Sequence, residues 1–409
     1  MTPTQRQDRT IVINFASEDK YKKLVDDGHS FRQYLLDSYD HSPELFPDDF
    51  ESGFHLHGFV HSKKQNLCTR RILIKKTGSA YQIRPSFMMP YMTSKTDDVS
   101  DFLLLRLWGV PFWMIARLGG HDPMFWWRMY SSLGRFSIVG TTVKEADKLP
   151  EHLLADEKHS RCNREKVYVA TTVANNCFLG AAVAQGSGEK ELTVAYQVFR
   201  DEACELSPDY SPKTVTTDGW EALQNTWKGL FDGIVIILCY LHSWLKIKQY
   251  CRSNKELLLK IGEKVWHAYR AETVASFSGR ILQLKHWATR NINKEIILKQ
   301  VLKLCGKYDK FKVAYNHPDA PRTSNGIDRL MDYQDRQLYA MRYLHDFDGS
   351  AQLAVRSMAL LWNFHPYAQG KGSSPFNELN GFYYHEDWLQ NCMIAASLQQ
   401  RNLKTQNPL

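Results

Sequence analysis

Two aspartates of the sequence, Asp156 and Asp218, stand where carboxylates could hold divalent metal ions. Asp156 occurs in LLADEK and Asp218 in VTTDGW, each at the end of a stretch that is typical of a β-strand. Carboxylate oxygens are the ligands that hard cations such as Mg²⁺ prefer. Two such ions about 4 Å apart activate an attacking oxygen and stabilise a leaving one in phosphoryl transfer. Acids at strand ends are also common turn residues. A role in metal binding for these two positions is therefore supported only by the elements around them.

A third carboxylate is expected from the stretch PRTSNGIDRLMDYQDR, where Asp328, Asp332 and Asp335 have the spacing i, i+4, i+7. On a helix these offsets lie on one face, and like charges there are mildly destabilising. The face is therefore either a solvated acidic surface or the source of one metal ligand. Asn325 could also cap this helix, with Asp328 completing a capping box. Because a helix packed across a sheet edge reaches it with its first turn, we predict Asp328 as the ligand and expect Asp332 and Asp335 to tolerate substitution.

The order of elements around these acids predicts the fold. From residue 150 the chain reads as three strands, a helix, a strand, a helix and a strand: HLLADEKHS, KVYVATTV, CFLGAAVAQ, EKELTVAYQVFRDEACEL, KTVTTDGW, EALQNTWKGL and GIVIILCYLH. This βββαβαβ order is that of the RNase H-like fold, in which strand ends bring acidic residues together and a later helix supplies another. We predict an α/β protein whose RNase H-like catalytic domain (βββαβαβ-α) comprises residues 138–243 and 313–368 and is interrupted by an all-α insertion.

The interrupting stretch, residues 244–312, which we call the basic segment, concentrates the positive charge. It holds 16 Lys and Arg against 5 Asp and Glu, a net charge of +11, whereas the whole chain carries +8. Such an excess favours a polyanionic partner. We predict a helical segment that lies along a DNA backbone and contacts it through Lys285 and Arg290, which flank Trp287.

The residues before the predicted catalytic domain are expected to form two further units. Residues 1–98 contain a helix-like stretch and two strand-like runs, TRRILIKK and AYQIRPSF, and form a small α+β module that is a further candidate for binding DNA. Residues 99–137 have the spacing of a helix-turn-helix, with an Asp-Pro pair that starts the third helix. We expect Arg128 on that helix to contact DNA; its aromatic neighbours also fit a core or a dimer face. Residues 369–409 are expected to be a C-terminal tail.

The composition predicts a folded, soluble, cytoplasmic protein. The 409 residues are 43% hydrophobic and 12% aromatic, which suits a globular protein. The 8 cysteines include no C-x-x-C pair, which indicates a reducing compartment. The start MTPTQRQDRTIVINF has no apolar signal region, and arginines and a proline interrupt the run DFLLLRLWGVPFWMIARLGG, so we expect neither a signal peptide nor a membrane span.

The chain resembles bacterial insertion-sequence transposases of the DDE/DDD, RNase H-like type over roughly residues 138–368. The stretches that carry the resemblance are HLLADEKHS, VYVATTVANNCFLGAAVA, TVTTDGWEALQNTWKGLF, IILCYLH and TSNGIDRLMDYQDR. In such families the third acid follows a Ser-Asn step at a helix start and is usually Glu. Asp328 occupies that position here, so the resemblance implies a triad of three aspartates, Asp156, Asp218 and Asp328.

Two further features are similar to those of Mutator-like and hAT-like transposases. Cys239 and His242, in LCYLH, match a Cys-x2-His motif after the second acid, and the basic segment is similar to the helical insertion of those groups. We expect Cys239 and His242 to be a structural pair, with metal binding as the alternative, because this motif lacks two of the four ligands of a zinc site. In similar transposases an aromatic residue of the insertion stacks on a flipped base, which makes Trp287 a candidate; a core position is the other interpretation.

The resemblance implies metal-dependent cleavage of DNA at transposon ends and transfer of the 3′-hydroxyl into target DNA. The expected cofactors are two Mg²⁺ or Mn²⁺ ions held by the three aspartates; zinc is not expected, although the N-terminal module contains His55, His57, His61 and Cys68. The expected partners are double-stranded DNA on the nucleoid and further copies of the chain, in a homodimer or larger assembly, with no membrane. A non-catalytic DNA-binding protein derived from a transposase and a plain nuclease of this fold stay open. Intact acids at all three positions favour the transposase over the non-catalytic protein, and the N-terminal module and the basic segment exceed what a plain nuclease needs.

Overall fold

The computed structural model describes residues 9–90, 92–367 and 373–398, and its first part is a small mixed β-sheet with two helices packed on it. The elements are β1 (Thr10–Ile13), α1 (Glu18–Asp26), α2 (Gly28–His41), β2 (Phe54–Ser62), β3 (Leu67–Ile74) and β4 (Ala80–Pro85). The strands lie in the order β1-β4-β3-β2, with β1 parallel to β4 and the other pairs antiparallel. The two strand-like runs of the sequence are confirmed as β3 and β4.

The sequence did not predict β1 and β2, and both omissions have a local cause. β1 has only 4 residues, too few for a pattern to be recognised. In β2 a register shift between Leu56 and Phe59, at Gly58, interrupts the alternation of buried and exposed side chains. A bulge of this kind hides the period of two on which strand prediction depends.

The next four helices connect this sheet to the second one. They are α3 (Thr96–Leu104), α4 (Phe112–Gly119), α5 (Pro123–Ser132) and α6 (Ile138–Thr142). The predicted start of α5 is confirmed, because the Asp122 side chain accepts a hydrogen bond from Met124 N and Pro123 is the first helical residue. Trp126 is buried on α5, whereas Arg128 is exposed. One face of this aromatic helix is therefore core, and only the other face is open to a partner. None of the helices in the described ranges is long and apolar enough to cross a membrane.

The second sheet has five strands, and its elements follow one another in the predicted order βββαβαβ. Its elements are β5 (His152–Cys162), β6 (Glu165–Ala174), β7 (Cys177–Ala184), α7 (Glu189–Leu206), β8 (Thr214–Thr217), α8 (Glu221–Leu230) and β9 (Val235–Leu238). The strands lie in the order β7-β6-β5-β8-β9; β6 is antiparallel to β5 and β7, while β8 is parallel to β5 and β9. The last strand is shorter than predicted, because the chain turns into a helix at Tyr240.

The basic segment is almost wholly helical, as predicted. The helices between β9 and residue 313 are α9 (Tyr240–Tyr250), α10 (Lys255–Tyr269), α11 (Val274–Asn291), α12 (Glu295–Gly306) and α13 (Tyr308–Lys312). Their apolar faces form a separate hydrophobic core that includes Ile261, Phe277 and Val301. Because Leu238 of β9 also belongs to this core, the segment packs as a unit against the end of the second sheet.

Helices cover both faces of the second sheet. The last helices of the described chain are α14 (Asn325–Ala340), α15 (Gln352–Phe364), α16 (Pro375–Asn380) and α17 (Trp388–Ala395). α7 and α8 pack on one face, and α14 and α15 pack on the other. Side chains of β6 alternate between these two cores, with Tyr168 and Ala170 in the first and Val167 and Val169 in the second. Burial on both faces explains why this strand is apolar along most of its length.

The region predicted as a C-terminal tail lies only partly within the described residues, because 368–372 and 399–409 fall outside them. The described part, 373–398, packs into the protein: Leu389, Cys392 and Met393 of α17 are buried. Ser397 Oγ accepts a hydrogen bond from Val12 N of β1 at 3.0 Å. The two ends of the described chain therefore share one core with the helices that precede the second sheet.

A buried ion pair joins α7 to α15. Glu202 and Arg356 are 1% and 3% exposed, and Oε1 of Glu202 accepts a hydrogen bond from Nη2 of Arg356 at 2.7 Å. The remaining bonds run from Ser137 Oγ and Val139 N to Oε2 of Glu202, and from Arg356 to the carbonyl oxygens of Gly134 and Phe136. Such full pairing is what makes a buried charge tolerable, and losing one partner leaves the other charge uncompensated.

We expect Glu202→Ala to lower the free energy of unfolding by about 3–5 kcal/mol, because it leaves the Arg356 guanidinium buried without a counter-charge. Urea unfolding followed by circular dichroism measures this change. Glu256→Ala, which removes an exposed partner of Lys260, is the matched control and should leave stability unchanged. A loss for Glu202→Ala no larger than for this control would show that the buried pair does not hold the two helices together.

Candidate active site

Asp156 and Asp218 lie on neighbouring strands at one edge of the second sheet. β5 and β8 pair in parallel up to Leu154 and Thr216, and the same register two residues further on places Asp156 beside Asp218. Asp218 directly follows the end of β8, as predicted. Asp156 does not end its strand, because β5 continues in its pairing with β6 to Cys162, and that part of the prediction was wrong. The carboxylate of Asp156 nevertheless stands where the neighbouring strand stops.

The first turn of α14 lies over this edge, because the loop before it is bonded to the strand ends. Gly326, in that turn, permits the close approach, since a Cβ atom there would lie 2.8 Å from Leu154 Cδ1. Asp328 is the fourth residue of the helix and is thereby held near the two strand carboxylates. The hydrogen bonds run from Thr216 Oγ1 to Pro321 O (2.5 Å), from Tyr240 N to Arg322 O (3.1 Å) and from Ser324 N to Cys239 Sγ (3.2 Å).

The alternative role for Asp328 in a capping box is not found. α14 begins at Asn325, so its N-cap residue is Ser324 and not Asn325. No side chain caps the helix by a hydrogen bond, and Asp328 stands one position beyond the N3 residue that closes a capping box. Asp328 therefore does not close the predicted capping box; contact with the Ser324 side chain opposes the rise in its pKa.

The three aspartates share one electrostatic environment, and each is half-buried. Burial raises the pKa of Asp156 to about 6, and the negative charges of Asp218 and Asp328 add to this rise. Burial also raises the pKa of Asp328. Carboxylates that oppose one another's ionisation in this way are stabilised in their charged form by a cation placed among them.

His242, in the first turn of α9, is a positive charge that interacts with these carboxylates. Its pKa is raised to about 9, first by contact with the Cys239 side chain and then also by the charges of Asp156 and Asp218. Burial opposes ionisation of Cys239, yet its pKa is lowered through His242 and Ser324. The bond from Ser324 N to the buried sulfur ties the end of β9 to the start of α14. These contacts are compatible with the structural role that the sequence predicts for the pair, and that role stays a prediction.

The other two acids of α14 are more exposed than Asp328, and the charge of Asp332 adds to the rise in the pKa of Asp328. Asp332 and Asp335 are exposed. Asp335 forms an ion pair with Lys158 of β5. The three acids of the helix therefore have different surroundings, although their spacing puts them on one face.

The donor chemistry of the aspartates fits a hard divalent cation, although their side chains do not converge. Within residues 9–90, 92–367 and 373–398, no three His, Cys, Asp or Glu side chains stand close enough together to hold a metal ion. Asp156 Oδ1 accepts a hydrogen bond from Glu157 N, and Asp218 Oδ1 accepts one from Trp220 N, both at 2.8 Å. Carboxylates that keep a second oxygen for a ligand are the donors that Mg²⁺ and Mn²⁺ select.

Sequence reasoning missed Glu157, the neighbour of Asp156. Burial raises the pKa of Glu157 to about 8, so this carboxyl group is mainly protonated at neutral pH. Its Oε1 accepts a hydrogen bond from the hydroxyl of Tyr196 on α7 at 2.7 Å. Two adjacent acids directly after the apolar residues 153–155 were the available signal, since neighbouring residues of a strand face opposite sides of the sheet.

Lys307, between α12 and α13, is a second residue that the sequence did not single out. Burial and neighbouring lysines lower its pKa, whereas the charge of Asp218 opposes this change, which places Lys307 close to the candidate site. Its Nζ donates a hydrogen bond to Ser243 Oγ at 3.5 Å. Nothing in its local sequence distinguishes it from the other lysines of the basic segment.

The predicted DNA contacts of the basic segment lie on α11. Lys285 and Arg290 are exposed, so both are available to a partner. Trp287 is half-buried against the core of the segment, and the ammonium group of Lys264 lies 5.1 Å from the centre of its ring. Trp287 thus packs partly against the core, and its stacking on a flipped base stays a prediction.

In the N-terminal module, the four residues that could suggest zinc are not brought together as a ligand set. His61 and Cys68 pair across β2 and β3, with Nδ1 and Sγ 3.4 Å apart. His55 and His57 stand further along β2 and are exposed.

Comparison of the chain with models of known protein families and with curated proteins finds no match. The candidate site is therefore interpreted from its own geometry and chemistry.

We expect Asp156→Asn to raise the melting temperature at neutral pH in the presence of EDTA. The folded-state pKa of Asp156, about 6, lies above the ordinary value of 3.8, so the folded protein binds the proton more tightly than the unfolded chain. This group therefore lowers stability as pH rises from about 4 through about 6, by roughly 1–3 kcal/mol at neutral pH. Asn keeps the size and removes that charge.

Thermal unfolding of both proteins between acidic and neutral pH measures the effect. The difference between variant and wild type should be largest at neutral pH and disappear in acid. Asp335→Asn, at an exposed carboxylate of α14, is the control. A lower melting temperature for Asp156→Asn at neutral pH would mean that the charged carboxylate is stabilised in the fold.

Proposed function

We propose that this chain is a DNA transposase of the DDE/DDD type, with an RNase H-like catalytic unit formed by the second sheet and α14. The single observation that carries the proposal is that distant parts of the chain bring three acids to one edge of the second sheet. Asp156 and Asp218 come from adjacent parallel strands, and Asp328 comes from a helix bonded to the same strand ends. The strand order β7-β6-β5-β8-β9, with helices on both faces, also supports this fold assignment.

In the proposed reaction the three aspartates hold two Mg²⁺ or Mn²⁺ ions. When bound, these ions activate the attacking oxygen and stabilise the leaving oxygen of the scissile phosphodiester. Protonated His242 limits the negative charge of the site before DNA binds. Lys307, on the side of Asp218, is suited to contact a non-bridging phosphate oxygen. The attacking group is water in strand cleavage and a 3′-hydroxyl in strand transfer.

Double-stranded DNA is the proposed partner because the positive charge is gathered beside the candidate site. The basic segment carries +11 and packs directly against the end of β9. Its exposed Lys285 and Arg290 contact phosphates in this proposal, and Arg128 on the open face of α5 is a further contact. Action as a homodimer or larger assembly on the DNA of the cytoplasmic nucleoid belongs to the same proposal.

A non-catalytic DNA-binding protein derived from a transposase is the second candidate. The observation that favours it is that the carboxylates do not converge in the described residues. The raised pKa of Asp156 favours the enzyme, because a carboxylate that costs stability has no evident structural use. The two candidates differ in whether bound DNA is cleaved.

We expect Asp156→Asn, Asp218→Asn and Asp328→Asn each to reduce Mg²⁺-dependent DNA cleavage by about 10³-fold or more, while DNA binding is retained. Asn keeps the side-chain size but removes the charge that binds a divalent ion. The substrate is duplex DNA from the two regions that flank the coding sequence, and cleavage and joining to a target plasmid are followed on gels. Asp332→Asn and Asp335→Asn are matched controls on the same helix and should retain most of the activity.

An inactive Asp332→Asn beside an active Asp328→Asn would place the third ligand one turn further along α14. Binding without cleavage by the wild type in both Mg²⁺ and Mn²⁺ would favour the non-catalytic candidate. Cleavage without joining to the plasmid would favour a plain nuclease.

We expect the double variant Lys285→Ala/Arg290→Ala to weaken binding to all duplex sequences alike. Loss of two phosphate contacts should reduce the slope of log K against log salt by about 2. Fluorescence anisotropy with labelled duplexes at several salt concentrations measures both quantities. Lys213→Ala, at an exposed lysine paired with Glu151, is the control. An unchanged slope in the double variant would show that α11 does not lie along the DNA backbone.

A further inference from the structure

We infer that a groove between α4 and the end of α14 binds an unpaired stretch of a DNA strand by stacking bases on its aromatic side chains. The groove has a volume of about 520 Å³, which is within the range of sites for small ligands. Its lining includes four aromatic residues and two arginines: Trp108, Trp113, Tyr339, Tyr343, Arg336 and Arg342. The inference rests on the proposed function in taking DNA as the nucleic acid.

The aromatic rings of the groove are unusually exposed. Trp108 is 69% exposed, Trp113 57% and Tyr339 77%. By contrast, Trp126 on the adjacent α5 is 1% exposed, so this region of the fold does bury some of its large rings. Several large rings left in water on one surface are typical of a binding site.

The charges of the groove favour a nucleic acid over a protein surface. Arg336 and Arg342 are exposed, and neither forms an ion pair with another described residue. No carboxylate is among the residues that line the groove. Guanidinium groups beside Trp and Tyr rings pair with phosphates and stack with bases, and such platforms accept any base because every base has a π-face. An apolar patch from a second copy would leave both guanidinium groups without a partner.

The walls of the groove are preformed. Buried Arg106 donates a hydrogen bond to Oε1 of Gln337 on α14 at 2.8 Å, which joins the two sides. Gly109 has a φ of +77°, and a Cβ atom there would lie 3.3 Å from the carbonyl oxygen of Arg336. After α14, Arg342 and Tyr343 adopt left-handed φ values of 56° and 73°, which side-chain-bearing residues rarely do. A rigid groove costs little conformational entropy when a ligand binds.

α14 connects the groove to the candidate active site. Asp328 is in its first turn, and Tyr339 follows eleven residues later on nearly the same face, about 16 Å along the axis at 1.5 Å per residue. Of the two acids between them on this face, Asp335 is ion-paired with Lys158, and Asp332 is exposed. A strand that leaves the active site along α14 therefore reaches the groove within a few nucleotides, where an unpaired end can be held.

Binding of a single strand to the full chain tests this inference. The probe is a 5′-fluorescein-labelled oligodeoxythymidylate of about 10 nucleotides, a length within the site sizes of single-strand binders, measured by fluorescence anisotropy in EDTA. Trp113→Ala and Tyr339→Ala should each weaken binding about 5- to 150-fold, the loss expected for one stacking platform. Trp113→Phe should retain most of the affinity. Tyr383→Ala, at a 46% exposed tyrosine outside the groove, is the matched control and should bind as the wild type does.

Circular dichroism and sedimentation of each variant separate loss of binding from loss of folding or of self-association. Wild-type affinity in both alanine variants, or no binding of the probe by the wild type, overturns the inference. Loss of self-association with unchanged probe binding assigns the groove to a second copy and also overturns it. If no form of the protein cleaves DNA but the groove variants lose the probe, the proposed catalysis fails and the groove assignment stands.

Discussion

The hydrogen bonds that hold residues 321–324 against the ends of β8 and β9 are the constraint on which the candidate site depends. The basic segment separates β9 from α14 in sequence, so chain connectivity alone cannot position Asp328. The bonds from Ser324 N to Cys239 Sγ and from Thr216 Oγ1 to Pro321 O connect residues that are 85 and 105 positions apart. These hydrogen bonds involve residues at the strand ends themselves. They therefore position the first turn of α14 relative to the sheet independently of the conformation of the basic segment.

This placement has an electrostatic cost. Burial raises the pKa of Asp156, and the neighbouring carboxylates at this edge add to the rise because like charges oppose one another's ionisation. The positive charge of His242 offsets part of this negative charge. Stability is thus lower than it would be with neutral side chains, which is a common property of sites that bind cations or perform chemistry. At this edge of the sheet, the carboxylates lower the stability of the fold, while hydrogen bonds hold the first turn of α14 in place.

α14 is held at both of its ends, by different parts of the chain. Its start is bonded to the strand ends, and near its other end Gln337 is hydrogen-bonded to buried Arg106 from the region that precedes the second sheet. The helices before the sheet and the C-terminal helices belong to the same hydrophobic core as α14 and α15. A helix fixed in this way keeps the distance between the candidate active site and the aromatic groove constant, because neither end of the helix can move without disturbing a core.

The sequence by itself determined the order of the elements in the second sheet, the helical nature and charge of the basic segment, and the position of Asp218 at a strand end. Apolar periodicity, turn residues and charge are local properties, and they survive in a one-dimensional pattern. Only the tertiary structure decided that Asp156 lies within its strand and that Asp328 does not close a capping box. It also decided that Trp126 is buried in the core while Trp113 is exposed. Finally, it decided that Glu157 and Lys307 lie next to the candidate site. Each of these depends on contacts between residues far apart in the chain, such as Ser324 with Cys239, which no local pattern encodes.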